Sequence, residues 1–287
     1  MNLLLLSNST NHGQGYLDHA IAEVKSVLGV GRRIAFVPFA LADHQAYTAK
    51  VTARLEEEDI EVDGVTPDAD GRGVIDRCQA IFVGGGNTFR LLDALQRSTL
   101  LHVVRERVIA GMPYLGASAG TNIAAPTIRT TNDMPIVQPQ SFDALGVVPF
   151  QINPHYLDAD PSSRHMGETR EDRLREYLEE NEVPVVGLRE GAWIRVTGET
   201  RTIGGANGAR VFRRDADPAS RHMGETREDR LREYLEENET PVLGLREGAW
   251  IRVDGERMAL GGANGARLFR RGADPLELAP GADLADV

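Results

Sequence analysis

The stretch Pro113-Tyr114-Leu115-Gly116-Ala117-Ser118-Ala119-Gly120-Thr121-Asn122-Ile123-Ala124-Ala125 decides the fold. Pro113 to Gly116 is a short, nearly continuous apolar run, as expected of a strand buried on both faces. Thr121 to Ala125 is compatible with a helix, and the link between the two is Gly-x-Ser-x-Gly. Strand, tight turn and helix in that order make a nucleophile elbow. Small neighbours let Ser118 adopt a strained backbone and present its hydroxyl, with the Ala119 N–H beside it as an oxyanion donor.

Outward from this elbow the first half of the chain alternates apolar runs with amphipathic segments. Leu3 to Leu6, Arg33 to Val37 and Ala80 to Val83 read as further strands. Tyr16 to Leu28, Ala42 to Glu58 and Thr88 to Ala110 carry apolar residues at helical spacing. Such alternation predicts a doubly wound α/β fold with a mostly parallel sheet and helices on both faces. At the carboxyl end of Ala80 to Val83 stands Gly84-Gly85-Gly86-Asn87. Carboxyl ends of neighbouring strands share one crevice, so the Gly86 N–H is a second candidate oxyanion donor. The cluster lacks the Lys-Ser/Thr ending of a P-loop and the spacing of a dinucleotide site, which argues against nucleotide binding.

A formal charge of -11 and a pI near 5.2 set a repulsive field against nucleic acid and anionic membranes. The single cysteine, Cys78, excludes an intramolecular disulfide and reads as a small core residue. Met1 to Ser7 has neither the basic flank nor the cleavage site of a signal peptide and is too short to span a bilayer. It reads as a buried first strand in a cytoplasmic protein. No His, Asp or Glu cluster has metal-ligand spacing, so neither a metal nor another cofactor is expected.

The second half contains a direct repeat. Asp158 to Arg214 and Asp215 to Arg271 align without a gap at an offset of 57 residues and differ at nine positions. One copy should complete an α/β domain over residues 1–214, and residues 215–287 hold the other copy and a C-terminal tail. About 57 residues bury too little area to stand alone reliably, so the second copy needs a surface, on its own domain or on a partner in a homodimer.

A serine nucleophile needs a base. The candidates are His12, His19, His44, His102, His155, His165 and His222; of these His19 and His102 fall in helical patterns, and His165 and His222 are repeat equivalents. His155, in Ile152-Asn153-Pro154-His155-Tyr156, follows a strand-like run in a proline-fixed loop, which suits a presented base, although a structural histidine reads the same way.

Together with the elbow, the segments Phe82 to Thr88, Thr131-Asn132-Asp133-Met134-Pro135-Ile136, Asn153 to Tyr156, His165 to Glu171 and Gly187-Leu188-Arg189-Glu190-Gly191 resemble the peptidase E group of α-aspartyl dipeptidases. The fold of that group is similar to that of class I glutamine amidotransferases. The resemblance implies a serine exopeptidase that hydrolyses Asp-Xaa dipeptides through an acyl-enzyme, with Ser118 as nucleophile and His155 as base. Two positions look like the acid that orients the histidine, Asp133 and Glu190, with Glu247 as the repeat equivalent of Glu190. Arg170 is the candidate reader of the substrate's side-chain carboxylate and Asn87 a lesser polar contact. Alternatives are a cyanophycinase-type peptidase acting on β-aspartyl-arginine and a non-catalytic assembly protein on the same scaffold.

Overall fold

The computed structural model describes residues 1–68, 70–158, 168–214, 235, 239–246, 248–254 and 257–284. Glu247, His165, His222 and Arg227, the repeat equivalent of Arg170, lie outside them. The chain divides into two compact units, Met1–Ala216 and Asp217–Val287.

In the first unit the strands β1 (Asn2–Leu6), β2 (Arg33–Val37), β3 (Glu61–Gly64), β4 (Ala80–Val83) and β5 (Tyr114–Ala117) form the parallel part of a sheet. Its order is β3-β2-β4-β5-β1, continued by β8 (Ala192–Thr197) and β9 (Thr200–Gly205), which run antiparallel. The two-residue side-chain period assigns alternate residues to opposite layers. Leu3, Leu5, Ala35, Val37, Ile81 and Val83 enter one core with the apolar faces of α3 (Asp70–Arg77), α4 (Thr88–Arg97) and α5 (Leu100–Ile109). Leu4, Leu6, Ile34, Phe36, Ala80 and Phe82 enter the other, under α1 (Ile21–Leu28) and α2 (His44–Glu56). This is the doubly wound sandwich expected from the sequence, and it explains why these strands read as unbroken apolar runs.

Two predicted helices are shorter than their periodicity. The Thr88 to Ala110 pattern is broken after Arg97: Ser98 caps α4 by donating its hydroxyl to Ala94 O at 2.7 Å, and Thr99 takes φ +60°. Tyr16 to Ala20 precedes α1 as a turn and a 3₁₀ segment, because Leu17 adopts φ +62°. A side chain on one face continues the apolar pattern across either break, so period alone does not reveal it.

Cys78 is buried, and burial, reinforced by Asp63, pushes its thiol up to about 11. At pH 8 the thiolate should be about 10²-fold scarcer than in the unfolded chain. Iodoacetamide is accordingly expected to label the native protein at least that much more slowly than the urea-unfolded protein, read by mass spectrometry; equal rates would contradict this burial.

A second sheet of order β10-β7-β6 carries β6 (Gln151–Tyr156), β7 (Val185–Arg189) and β10 (Ala209–Phe212). One of its faces packs Ile152, Val186 and Leu188 into the first core. The other packs Tyr156, Val185 and Phe212 against Leu174 and Leu178 of α7 (Arg170–Glu180). Thr169 and Asp172 form a capping box at the start of α7. The second unit contains β11 (Val242–Leu245), β12 (Ala249–Asp254), β13 (Arg257–Gly262), β14 (Ala266–Phe269) and β15 (Leu276–Leu278), in a sheet of order β11-β14-β15 and a β12–β13 hairpin. Among the described residues no helix is long and apolar enough to cross a membrane.

Candidate active site

Ser118 stands between β5 and the short helix α6 (Ala119–Asn122), with φ +51° and ψ -107°. Few non-glycine residues tolerate this conformation, and several contacts hold it. The Ser118 N–H donates to Leu6 O at 3.1 Å, and the Thr121 hydroxyl lies 2.6 Å from Leu6 O and 2.8 Å from Gly116 O. The Tyr114 hydroxyl donates to Gly120 O at 2.5 Å. β1, β5 and the elbow are thereby fastened together at the carboxyl edge of the sheet.

The Ser118 hydroxyl lies 2.8 Å from His155 Nε2, and His155 Nδ1 lies 2.9 Å from Glu190 Oε1. With a neutral imidazole, the tautomer that serves both contacts carries its proton on Nδ1, donates it to Glu190 and accepts from Ser118. His155 does not sit in a loop after its strand, as the sequence suggested. It lies inside β6, at a bulge where the β6–β7 register shifts between Pro154 and Tyr156, with φ +54°. Proline has no N–H to lose from the ladder, and the bulge turns the following side chain out of the sheet.

Two of the proposed acids part company here. Glu190 follows β7 in the turn to β8 and reaches His155. Asp133 does not: its Oδ2 accepts from the Thr88 N–H at 2.7 Å and the Thr88 hydroxyl at 2.6 Å, at the N-terminus of α4. That terminus has unpaired N–H groups that favour an anion, which explains the attraction. Asn87 is likewise committed elsewhere, since its Oδ1 caps α4 through the Arg90 N–H and its Nδ2 donates to Met134 O.

A cavity of about 270 Å³ opens beside the serine, lined by Thr88, Ser118, Asp133, His155 and Arg170 among others. Arg170, the first residue of α7, donates Nη1 to the His155 carbonyl, and burial lowers its guanidinium from the ordinary value while Glu190 opposes that shift. The backbone donors near Ser118 are mostly used internally. Gly84 N–H goes to Val37 O, Gly85 N–H to the Tyr47 hydroxyl and Asn87 N–H to Ala40 O. Ala119 opens α6, so its N–H has no acceptor within that helix, and Gly86 N–H has no acceptor among the described residues.

Several supporting groups escaped the sequence reading. The buried Ser7 hydroxyl accepts from the His155 N–H at 2.9 Å and donates to Leu188 O at 2.8 Å, tying β1, β6 and β7 at one point. Asn8 Oδ1 accepts from the Gly191 N–H at 2.7 Å, fixing the turn that carries Glu190. A polar belt of Asn122, Thr130, Asn132 and Asn153 anchors β6 through the carbonyls of Ile152, Thr130 and Pro154. The available signal was position: Ser7 and Asn8 follow a buried strand immediately, at the edge where the crevice forms.

Among the described residues no group of three or more His, Cys, Asp or Glu gathers as a metal would require. The model of peptidase family S51 matches residues 3–204. The chain is 59% identical over 224 residues to Peptidase E of Streptomyces coelicolor, covering 78% of this chain and 92% of that protein. It is 48% identical over 217 residues to a Drosophila melanogaster protein named "Probable alpha-aspartyl dipeptidase", covering 75% and 90%. A solved structure from Listeria monocytogenes EGD-e, provisionally assigned to peptidase E, shares the fold with TM-score 0.56 at 22% identity, over 71% of this chain and 98% of that one. The elbow, the crevice and these matches agree: the chain belongs to peptidase family S51 and is a peptidase.

Proposed function

We propose that the protein hydrolyses dipeptides with an N-terminal aspartate by a serine mechanism. The observation that carries this is the continuous chain Ser118–His155–Glu190, which opens on a small cavity holding one guanidinium and one further carboxylate. Ser118 Oγ attacks the peptide carbonyl carbon as His155 Nε2 takes the hydroxyl proton. Glu190 holds the imidazole and offsets the charge that forms on it. The N–H groups of Ala119 and Gly86 receive the oxyanion. When the C–N bond breaks, His155 gives the proton to the departing amine and leaves an aspartyl ester on Ser118. Water, activated by His155, hydrolyses that ester and restores the serine.

Recognition requires charge of both signs. Arg170 supplies the fork for the substrate's β-carboxylate. Asp133, held by Thr88 in the same cavity, has the sign needed for the free α-ammonium group. A cavity near 270 Å³ suits a dipeptide better than an extended chain.

Release of leucine from Asp-Leu, compared with Ala-Leu and β-Asp-Arg, tests the reading. Asp-Leu should be cleaved well above both, and preferential cleavage of β-Asp-Arg would replace this proposal by the cyanophycinase-type reaction. Arg170→Gln is expected to lower kcat/KM for Asp-Leu on the order of 10²-fold while changing Ala-Leu cleavage much less. Equal losses on both substrates would show that Arg170 only supports the His155 backbone.

A further inference from the structure

The base of the proposed triad has a backbone that its own strand does not support. His155 lies within β6 at φ +54°, a conformation that residues other than glycine seldom adopt. Gln151 to Pro154 pair in register with Val185 to Leu188, and Tyr156 pairs with Arg189, so the ladder passes over His155. β6 is also the last strand of its sheet, with β7 as its one neighbour there.

Side chains hold both polar ends of this residue instead. The His155 N–H donates to the Ser7 hydroxyl at 2.9 Å, and its carbonyl accepts from Arg170 Nη1. Ser7 is 0% exposed, and its hydroxyl donates in turn to Leu188 O at 2.8 Å. Leu188 is the register partner of Pro154, so this hydroxyl stands between β6 and β7 where the bulge opens the ladder. A hydroxyl can accept from one strand and donate to the next, and alanine could do neither.

The same corner of the chain holds the acid. Ser7 N–H donates to Ala192 O at 3.0 Å, and Asn8 Oδ1 accepts from the Gly191 N–H at 2.7 Å. Together with the bond to Leu188 O, these contacts grip the backbone on both sides of Glu190. Asn8 is only 3% exposed, and its Nδ2 is fixed on Thr10 O and Asn11 Oδ1. The Glu190 side chain is 64% exposed, so packing does not hold it. Where its backbone is fastened decides whether it meets His155, 35 positions away in sequence.

We infer that Ser7 is a positioning residue for catalysis: its hydroxyl keeps the β6 bulge open, so that His155 Nε2 faces Ser118 while Nδ1 faces Glu190. Asn8 completes the same clamp on the acid. Without the hydroxyl, a buried N–H on His155 and a buried carbonyl on Leu188 lose their partner, and the bulge closes to satisfy them. Closure carries the imidazole away from both its partners, and about 1 Å of misplacement is worth about 10²-fold in rate.

The inference rests on the triad proposed above, and its test keeps the two apart. Ser7→Ala is expected to lower kcat for Asp-Leu by about 10- to 10²-fold per folded chain, counted by near-ultraviolet circular dichroism, with KM within about threefold. Ser7→Thr retains the hydroxyl and should return kcat to within about threefold of the parent. In proton NMR of the full chain labelled with ¹⁵N-histidine, the His155 Nδ1 proton should appear downfield in the parent and in Ser7→Thr, and Ser7→Ala should move it upfield or lose it to exchange. In a His155→Ala background, Ser7→Ala should cost less than about a further threefold, because the hydroxyl acts through the base. An unchanged kcat and Nδ1 resonance in Ser7→Ala would overturn the inference, as would a Ser7→Thr protein as slow as Ser7→Ala. A large further loss in the His155→Ala background would show a structural role alone. Activity retained by Ser118→Ala would instead remove the triad, whereas loss there beside an unaffected Ser7→Ala would remove this inference and leave the triad standing.

Discussion

Ser118→Ala is expected to lower kcat for Asp-Leu by about 10⁴- to 10⁶-fold while leaving KM nearly unchanged. The hydroxyl is the only atom removed, and the backbone that positions it is held by other groups. Its N–H stays on Leu6 O, and Thr121 continues to bridge Leu6 and Gly116. Alanine must adopt the same φ of +51°, a strain serine already bears, so the melting temperature should move by only a few degrees. His155→Ala should reach a similar floor, because without an acceptor at Nε2 the hydroxyl is a poor nucleophile at neutral pH. The double variant should be no slower than either single one, since both residues act in one step. Steady-state kinetics on the three variants provide the check. Multiplicative losses, or a Ser118→Ala enzyme within about tenfold of the parent, would remove serine catalysis from consideration.

What could be read in the sequence and what could not differ in their physics. The β1, β2, β4 and β5 runs were legible because a strand buried on both faces has to be apolar throughout, and the elbow was legible because its glycines have steric causes. Ser118 stands out from its local context, whereas the context of His155 fits a structural histidine equally well and only the resemblance singles it out as the base. Glu190 and Asp133 could not be ranked, because the choice depends on which carboxylate a bulge and a turn bring to Nδ1, and neither the β6 bulge nor the Gly191 turn marks a composition. Asp133 is drawn to Thr88 for a related reason: an acid near a helix N-terminus satisfies orphan N–H groups, and the α4 terminus is formed by residues 45 positions away in sequence. Ser7 went unnoticed because its two partners, at positions 155 and 188, are brought to β1 only by the second sheet.

The elbow's own dependence on small residues leads to a second large effect, at a residue that takes no part in the chemistry. A Cβ on Gly120 would lie 2.1 Å from Val83 O and 2.8 Å from the Val83 carbonyl carbon. These are backbone atoms of β4, a strand paired on both sides by β2 and β5, so they have no free direction in which to move. Retreat of the elbow instead is resisted by the Tyr114 bond to Gly120 O and by the Ser118 N–H on Leu6. Gly120→Ala should therefore cost about 3 kcal/mol, the upper end for overpacking, and lower the melting temperature by roughly 6–12 °C. Whatever fraction stays folded should be catalytically impaired as well. Displacing the elbow from β4 separates Ala119 from Gly86, and about 1 Å of misplacement is worth about 10²-fold in rate. Gly73→Ala is the control: it lies in α3 with only Asp70 Oδ1 nearby, at 3.9 Å, so the exchange should raise stability by up to about 1 kcal/mol. Calorimetry and kcat on both variants decide the matter. A Gly120→Ala protein as stable and active as the parent would mean that the elbow and β4 are not in the close contact on which the proposed oxyanion site depends.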